Sequence, residues 1–88
     1  MRIYLEPIDV THAKGLPERI RWRQYIYTVL DVIDYWVYES EWWMGRERDD
    51  RRVYFLVVAA RSTPRVSSNS VLEVFRSAHA WTLSRVLD

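Results

Sequence analysis

The chain has 88 residues, 49% of them hydrophobic, including five Trp, six Tyr and two Phe; this length excludes a two-domain enzyme and this aromatic load excludes a disordered chain. Thirteen basic and twelve acidic residues leave a net charge of +1, which argues against a dedicated duplex-DNA binder, whose basic stripe dominates the whole domain. The absence of cysteine removes disulfide frameworks and thiolate metal sites, so the core must come from nearly every large apolar residue.

Residues 1–10 begin with Ile3 and Leu5 alternating against Tyr4, a short strand that Pro7 is expected to stop. Residues 11–17 carry Gly15 and Pro17 and read as a loop. From Glu18 to Trp22 the alternation is strict, with Arg19, Arg21 and Arg23 on one face and Ile20 and Trp22 on the other. That is a half-buried strand. The segment 25–38 is almost entirely β-branched and aromatic, which favours a strand. Ile26, Val29, Leu30, Ile33 and Val37 nevertheless recur at helical spacing, which keeps an amphipathic helix in play. If Arg23-Gln24 is a two-residue turn, Trp22 lies opposite Tyr25 and Ile20 opposite Tyr27, although the turn lacks the Gly or Asn that hairpins favour.

After Glu41-Trp42-Trp43-Met44 and Gly45, a charged stretch to Arg52 reads as a solvated turn. Val53 to Ala60 is a continuous apolar run of strand length, expected to be covered on both faces. Residues 61–70 are the most loop-like and are expected to be the mobile loop of the domain. For the last segment two readings stand. Ser70 with Glu73 matches a helix capping box, and no Gly or Pro interrupts 71–87. Alternatively Val71–Arg76 and Trp81–Leu87 form a hairpin over Ser77 to Ala80, with Leu72 and Val74 facing Trp81 and Leu83. No apolar run approaches about 18 residues, so no membrane span is expected. The opening residues lack a signal-peptide pattern, and a cytoplasmic location is expected.

No constellation for catalysis stands out, and the chain is read as not an enzyme. His12 and His79 are the only histidines and have no metal-ligand spacing, so neither a metal nor another cofactor is expected. Ser67, Ser68 and Ser70 with His79 and Asp88 have no nucleophile-elbow context, leaving a small hydrolase as a distant alternative. Asp31 with Asp34, and Asp49 with Asp50, read as solvated salt-bridge surface. Two surfaces are candidates for binding. The first is Trp42 and Trp43 beside Arg46, Arg48, Arg51 and Arg52, which suits a protein interface or stacking of single-stranded bases. The second is the row Arg19, Arg21 and Arg23, whose guanidinium groups about 6–7 Å apart suit successive phosphates or an acidic strand.

Gly15-Leu16-Pro17, Ile20-Arg21-Trp22-Arg23, Tyr27, Val29, Val32-Ile33-Asp34-Tyr35-Trp36, Glu41-Trp42-Trp43, Arg52-Val53-Tyr54-Phe55, Val71 to Arg76 and Trp81 to Asp88 together form a recognisable pattern. It resembles a family of small, uncharacterised bacterial domains. Members stand alone, and similar sequence closes Y-family-polymerase-like mutasome subunits of error-prone repair. The resemblance covers roughly residues 15–88. This chain departs from it at Gln24, where relatives typically have glycine, and at Ser77 to Ala80, where they often have a longer turn. The resemblance implies a compact β-rich domain, a C-terminal hairpin and a link to DNA-damage tolerance, and it supplies no catalytic residue.

Residues 1–88 are therefore expected to form one mostly β domain, a small, partly open antiparallel barrel or strongly bent sheet of five or six strands and SH3-like or OB-like size. The alternative is α+β with a helix over 71–87. The expected role is a non-catalytic protein-interaction module accessory to translesion repair, with a polymerase or recombination factor as partner. Weak binding of single-stranded nucleic acid is the alternative. An uncapped sheet edge also offers pairing to a second copy.

Overall fold

The computed structural model describes residues 2–39, 51–62, 67–78 and 80–87. They form six strands, β1 (Arg2–Ala13), β2 (Leu16–Trp22), β3 (Tyr25–Tyr38), β4 (Arg52–Ser62), β5 (Ser67–Ser77) and β6 (Ala80–Val86). Each strand pairs antiparallel with the next, and β1 closes on β6 into a barrel. The small barrel read from the aromatic, β-branched composition is thus present, and it is closed. The barrel is filled by Ile20, Val57, Leu72, Val74 and Leu83, all essentially inaccessible, with Ile8, Trp22, Tyr27, Phe55 and Ala59 around them.

The expected strand 18–22 and its partner have the register derived from alternation: Ile20 faces Tyr27 and Trp22 faces Tyr25. The tight turn forms without glycine because Arg23 accepts a φ of 58°. The left-handed φ falls on Arg23, the first central residue, and not on Gln24, which is the arrangement whose twist suits a two-residue hairpin turn.

Several boundaries differ from expectation. Pro7 does not stop β1; it pairs opposite Thr82 in a stretch whose only partner is β6, so the strand continues past it. The loop expected over 11–17 is a two-residue turn at Lys14 (φ 53°) and Gly15 (φ 81°), flanked by strand on both sides. Two positive φ values give the turn twist that matches paired strands. A Cβ on Gly15 would meet nothing within 4 Å, so backbone conformation alone favours glycine there. Of the loop expected over 61–70, Arg61–Ser62 instead ends β4 and Ser67–Ser70 begins β5, while residues 63–66 lie outside the described residues.

The segment 25–38 is strand throughout, and of the residues at helical spacing only Val29 and Val37 lie on the inner side, while Ile26, Leu30 and Ile33 are exposed. Its register on β4 slips twice, between Val29 and Asp31 and between Val32 and Asp34, leaving Leu30 and Ile33 as extra residues. Tyr27, Val29, Val32, Tyr35 and Val37 then share the inner side at spacings of two, three, three and two. Each bulge adds one residue to the period and bends the strand around the barrel.

The C-terminal segment is the hairpin β5–β6, and the helix over 71–87 is overturned. Leu72 and Val74 turn inward with Leu83, which burial on one sheet face favours over a solvent-exposed helix. The apparent capping residue Glu73 instead pairs across the hairpin with Arg85, at 2.9 Å from Nη2 and 3.0 Å from Nε. In β4, Phe55, Val57 and Ala59 are buried inside, whereas Tyr54, Leu56, Val58 and Ala60 on the outer side are only half-buried.

Candidate functional site

The arginine row expected on β2 comes apart at the turn. Arg19 and Arg21 are exposed on the outer face, and Arg21 lies opposite Asp9 and Ile26. Arg23 folds away with its positive φ and sits 4.7 Å over the Trp22 ring and 5.5 Å from the Tyr4 ring. Its Nη2 is 2.8 Å from Glu6 Oε2, and its Nε donates to Oε1 at 3.2 Å. The Trp22 indole donates to the same Oε1 at 2.8 Å. Arg23 is therefore a latch on the end of the barrel, with its charge matched, and two arginines remain of the row.

Those hydrogen bonds, first from Arg23 and then from Trp22, hold the Glu6 carboxyl below its ordinary value of 4.5. A carboxyl lowered on folding contributes stability above its unfolded pKa and loses it as pH falls through the folded value. The thermal midpoint of wild type should exceed that of Glu6→Gln at neutral pH, and the gap should close as the pH falls below 4.5. A gap that widens in acid would contradict the latch.

Of the tryptophan–arginine surface, Trp42, Trp43, Arg46 and Arg48 lie outside the described residues. Arg51 is exposed, with Nε 3.7 Å from Glu39. Arg52 lies on the outer face, its guanidinium 4.6 Å over the Phe75 ring and its Nη1 donating to the Tyr54 hydroxyl at 3.2 Å. There it meets an aromatic row not foreseen from the sequence. Trp36 stacks on Tyr54 at 5.4 Å with ring planes 3° apart, and Tyr54 meets Phe75 at 5.0 Å. The row follows from register, since Trp36, Tyr54 and Phe75 are successive partners across β3, β4 and β5.

The other unforeseen feature is β3 itself. Ten large apolar residues are exposed among those described, and seven belong to this strand: Ile26, Leu30, Ile33, Tyr35, Trp36, Val37 and Tyr38. β2 pairs with β3 only as far as Thr28, so residues 29–38 have β4 on one side and no described strand on the other. Where the two strands part, Leu16, Pro17 and Glu18 face Val29, Leu30, Asp31 and Val32 across an open cleft. The signal in the sequence was the fourteen-residue β-branched and aromatic run without Gly or Pro, twice as long as its seven-residue neighbour β2.

Among the described residues no group of three or more His, Asp or Glu is placed to share a metal ion. His12 is exposed on β1 with its ring 5.9 Å from that of Trp81, while His79 lies outside the described residues. No helix among the described residues is long and apolar enough to cross a membrane.

Against this geometry, the model of one family, a domain of unknown function (DUF6504), matches residues 1–88. The chain belongs to the DUF6504 family. No curated protein and no solved structure was found to match it. The β3 edge and the outer aromatic row are thus features of this DUF6504 domain established by its own geometry.

Proposed function

We propose that the domain is a non-catalytic protein-interaction module that engages its partner through β3. One observation carries this reading: among the described residues the exposed large apolar side chains concentrate on β3, the strand with the longest stretch lacking a described neighbour on one side. Apolar surface gathered in one place marks an interaction site far more often than the same residues scattered singly. The resemblance to sequence at the end of mutasome subunits supports error-prone repair as the setting, with a polymerase or recombination factor as partner. Deleting the gene should lower damage-induced mutation frequency. Ile33→Glu, at an exposed bulge, should fail to restore it while remaining folded by circular dichroism. Full complementation by that variant, or an unchanged mutation frequency in the deletion, overturns the proposal.

The outer row supports a second reading, weak binding of single-stranded nucleic acid. Trp36 is partly exposed and stacked, with Arg52 at the far side of the row, and stacking is worth about 1–3 kcal/mol per base. Anisotropy of a labelled oligonucleotide at about 50 and 200 mM salt tests it. Binding that weakens with salt and is lost in Trp36→Ala supports it, and no binding at the lower salt removes it.

A further inference from the structure

We infer that the free edge of β3 takes up an extended peptide of alternating basic and apolar residues as an added strand. This deepens the interaction reading and rests on it. A closed barrel leaves free edges only where a neighbouring strand is shorter, and three stretches meet that condition among the described residues. β1 pairs only with β6 over its first half, but that stretch is blunted. It holds Pro7, which has no N–H to offer, a register slip at Leu5 (φ 52°) and Glu6 engaged by Arg23. These are the devices that keep an edge from pairing. β5 extends past β6 over Ser67 to Ser70, a short polar stretch. β3 is different. Its free stretch contains no Pro, Gly, Lys or Arg, and from Asp34 to Tyr38 its register on β4 is unbroken; the Tyr35 N–H donates to Asp34 Oδ1 at 2.8 Å, a local bond that an added strand must replace. At about 3.3 Å per residue the ten residues 29–38 present roughly 33 Å of edge.

The side chains of this edge define its occupant. Tyr35 and Val37 lie on one face and Trp36 and Tyr38 on the other, all exposed. Asp31 and Asp34 are exposed on the outer side, and Glu18 borders the cleft where β2 diverges. None of these three carboxylates has an ion-pair partner among the described residues. An added strand carrying Arg or Lys beside Asp31 and Asp34 would complement them, because opposite charges on neighbouring strands stabilise a sheet and like charges oppose it. The same carboxylates disfavour a second copy as occupant. Antiparallel self-pairing centred between Asp31 and Asp34 gathers four of them along one seam. Strand addition supplies main-chain hydrogen bonds for affinity, and the alternate side chains supply selectivity.

The test uses the whole domain and fluorescein-labelled eight-residue peptides, one alternating Arg and Val and one alternating Glu and Val, read by fluorescence polarisation. The basic peptide should bind and the acidic one should not. The double variant Asp31→Lys, Asp34→Lys should weaken the basic peptide by about tenfold or more and improve the acidic one. N-methylating alternate peptide residues should abolish binding in one of the two parities only, because one row of N–H groups faces β3. Equal binding of both N-methylated forms overturns strand addition, as does indifference to the charge reversal. A sedimenting dimer that the basic peptide fails to dissociate assigns the edge to a second copy and overturns the proposal too. If Ile33→Glu abolishes complementation while neither peptide binds, the occupant proposed here falls and the interaction-module reading stands.

Discussion

Trp22→Ala should be among the most damaging single changes in this domain, costing about 3–5 kcal/mol of unfolding free energy. The ring is buried at 7% exposure, makes an edge contact with Tyr4 at 4.9 Å and packs near Tyr27 at 6.4 Å. Its removal leaves a cavity and strips Arg23 of the surface it covers. It also takes away one of the donors to Glu6. A domain of this length is expected to have a total stability of roughly 4–13 kcal/mol, so the loss is a large share of it. Urea unfolding of the variant beside Trp22→Phe measures the effect. Phenylalanine retains most of the apolar volume and loses the indole N–H, and it should cost markedly less. Equal midpoints for the two variants would show that the hydrogen bond to Glu6 outweighs the packing.

Phe75→Ala should have the second largest effect, about 3 kcal/mol. Phe75 is only 5% exposed, yet it lies on the outer side of the barrel, between Tyr54 and the Arg52 guanidinium. Its neighbour Val74 is the residue that faces the interior core. The expected loss therefore measures a second, external layer of packing, with aromatic pairs contributing about 0.5–1.5 kcal/mol beyond their buried area. Trp36→Ala, at the exposed end of the same row, should cost much less in stability. A Phe75→Ala loss under about 1 kcal/mol would show that the external layer contributes little to the fold.

The contrast between these two aromatics bears on how much of the molecule is legible in its sequence. Trp22 announces itself, because Arg19, Arg21 and Arg23 alternate with Ile20 and Trp22 and fix which side faces inward. The β2–β3 register then follows from a two-residue turn, and the structure has that register. Phe75 does not announce itself. Its burial requires Trp36, Tyr54 and Arg52 to arrive from two other strands, a matter of register between distant segments. Arg23 shows a local rule failing for a local reason. Alternation places it with Arg19 and Arg21, but the positive φ of the turn rotates it onto Glu6, seventeen residues earlier in the chain.

Composition and alternation by themselves pointed to a small aromatic β domain with strands at 18–22 and 53–60, and favoured a strand over 25–38 while leaving a helix open there. Periodicity and side-chain branching act within a few residues and need no partner to be read. Tertiary structure alone decided that the barrel closes, that Pro7 lies within a strand, and that β3 outruns β2 to leave an acidic, apolar edge. Each of these depends on which strand lies beside which and for how long. That is set by the burial of both faces of the sheet at once, a quantity no local window contains.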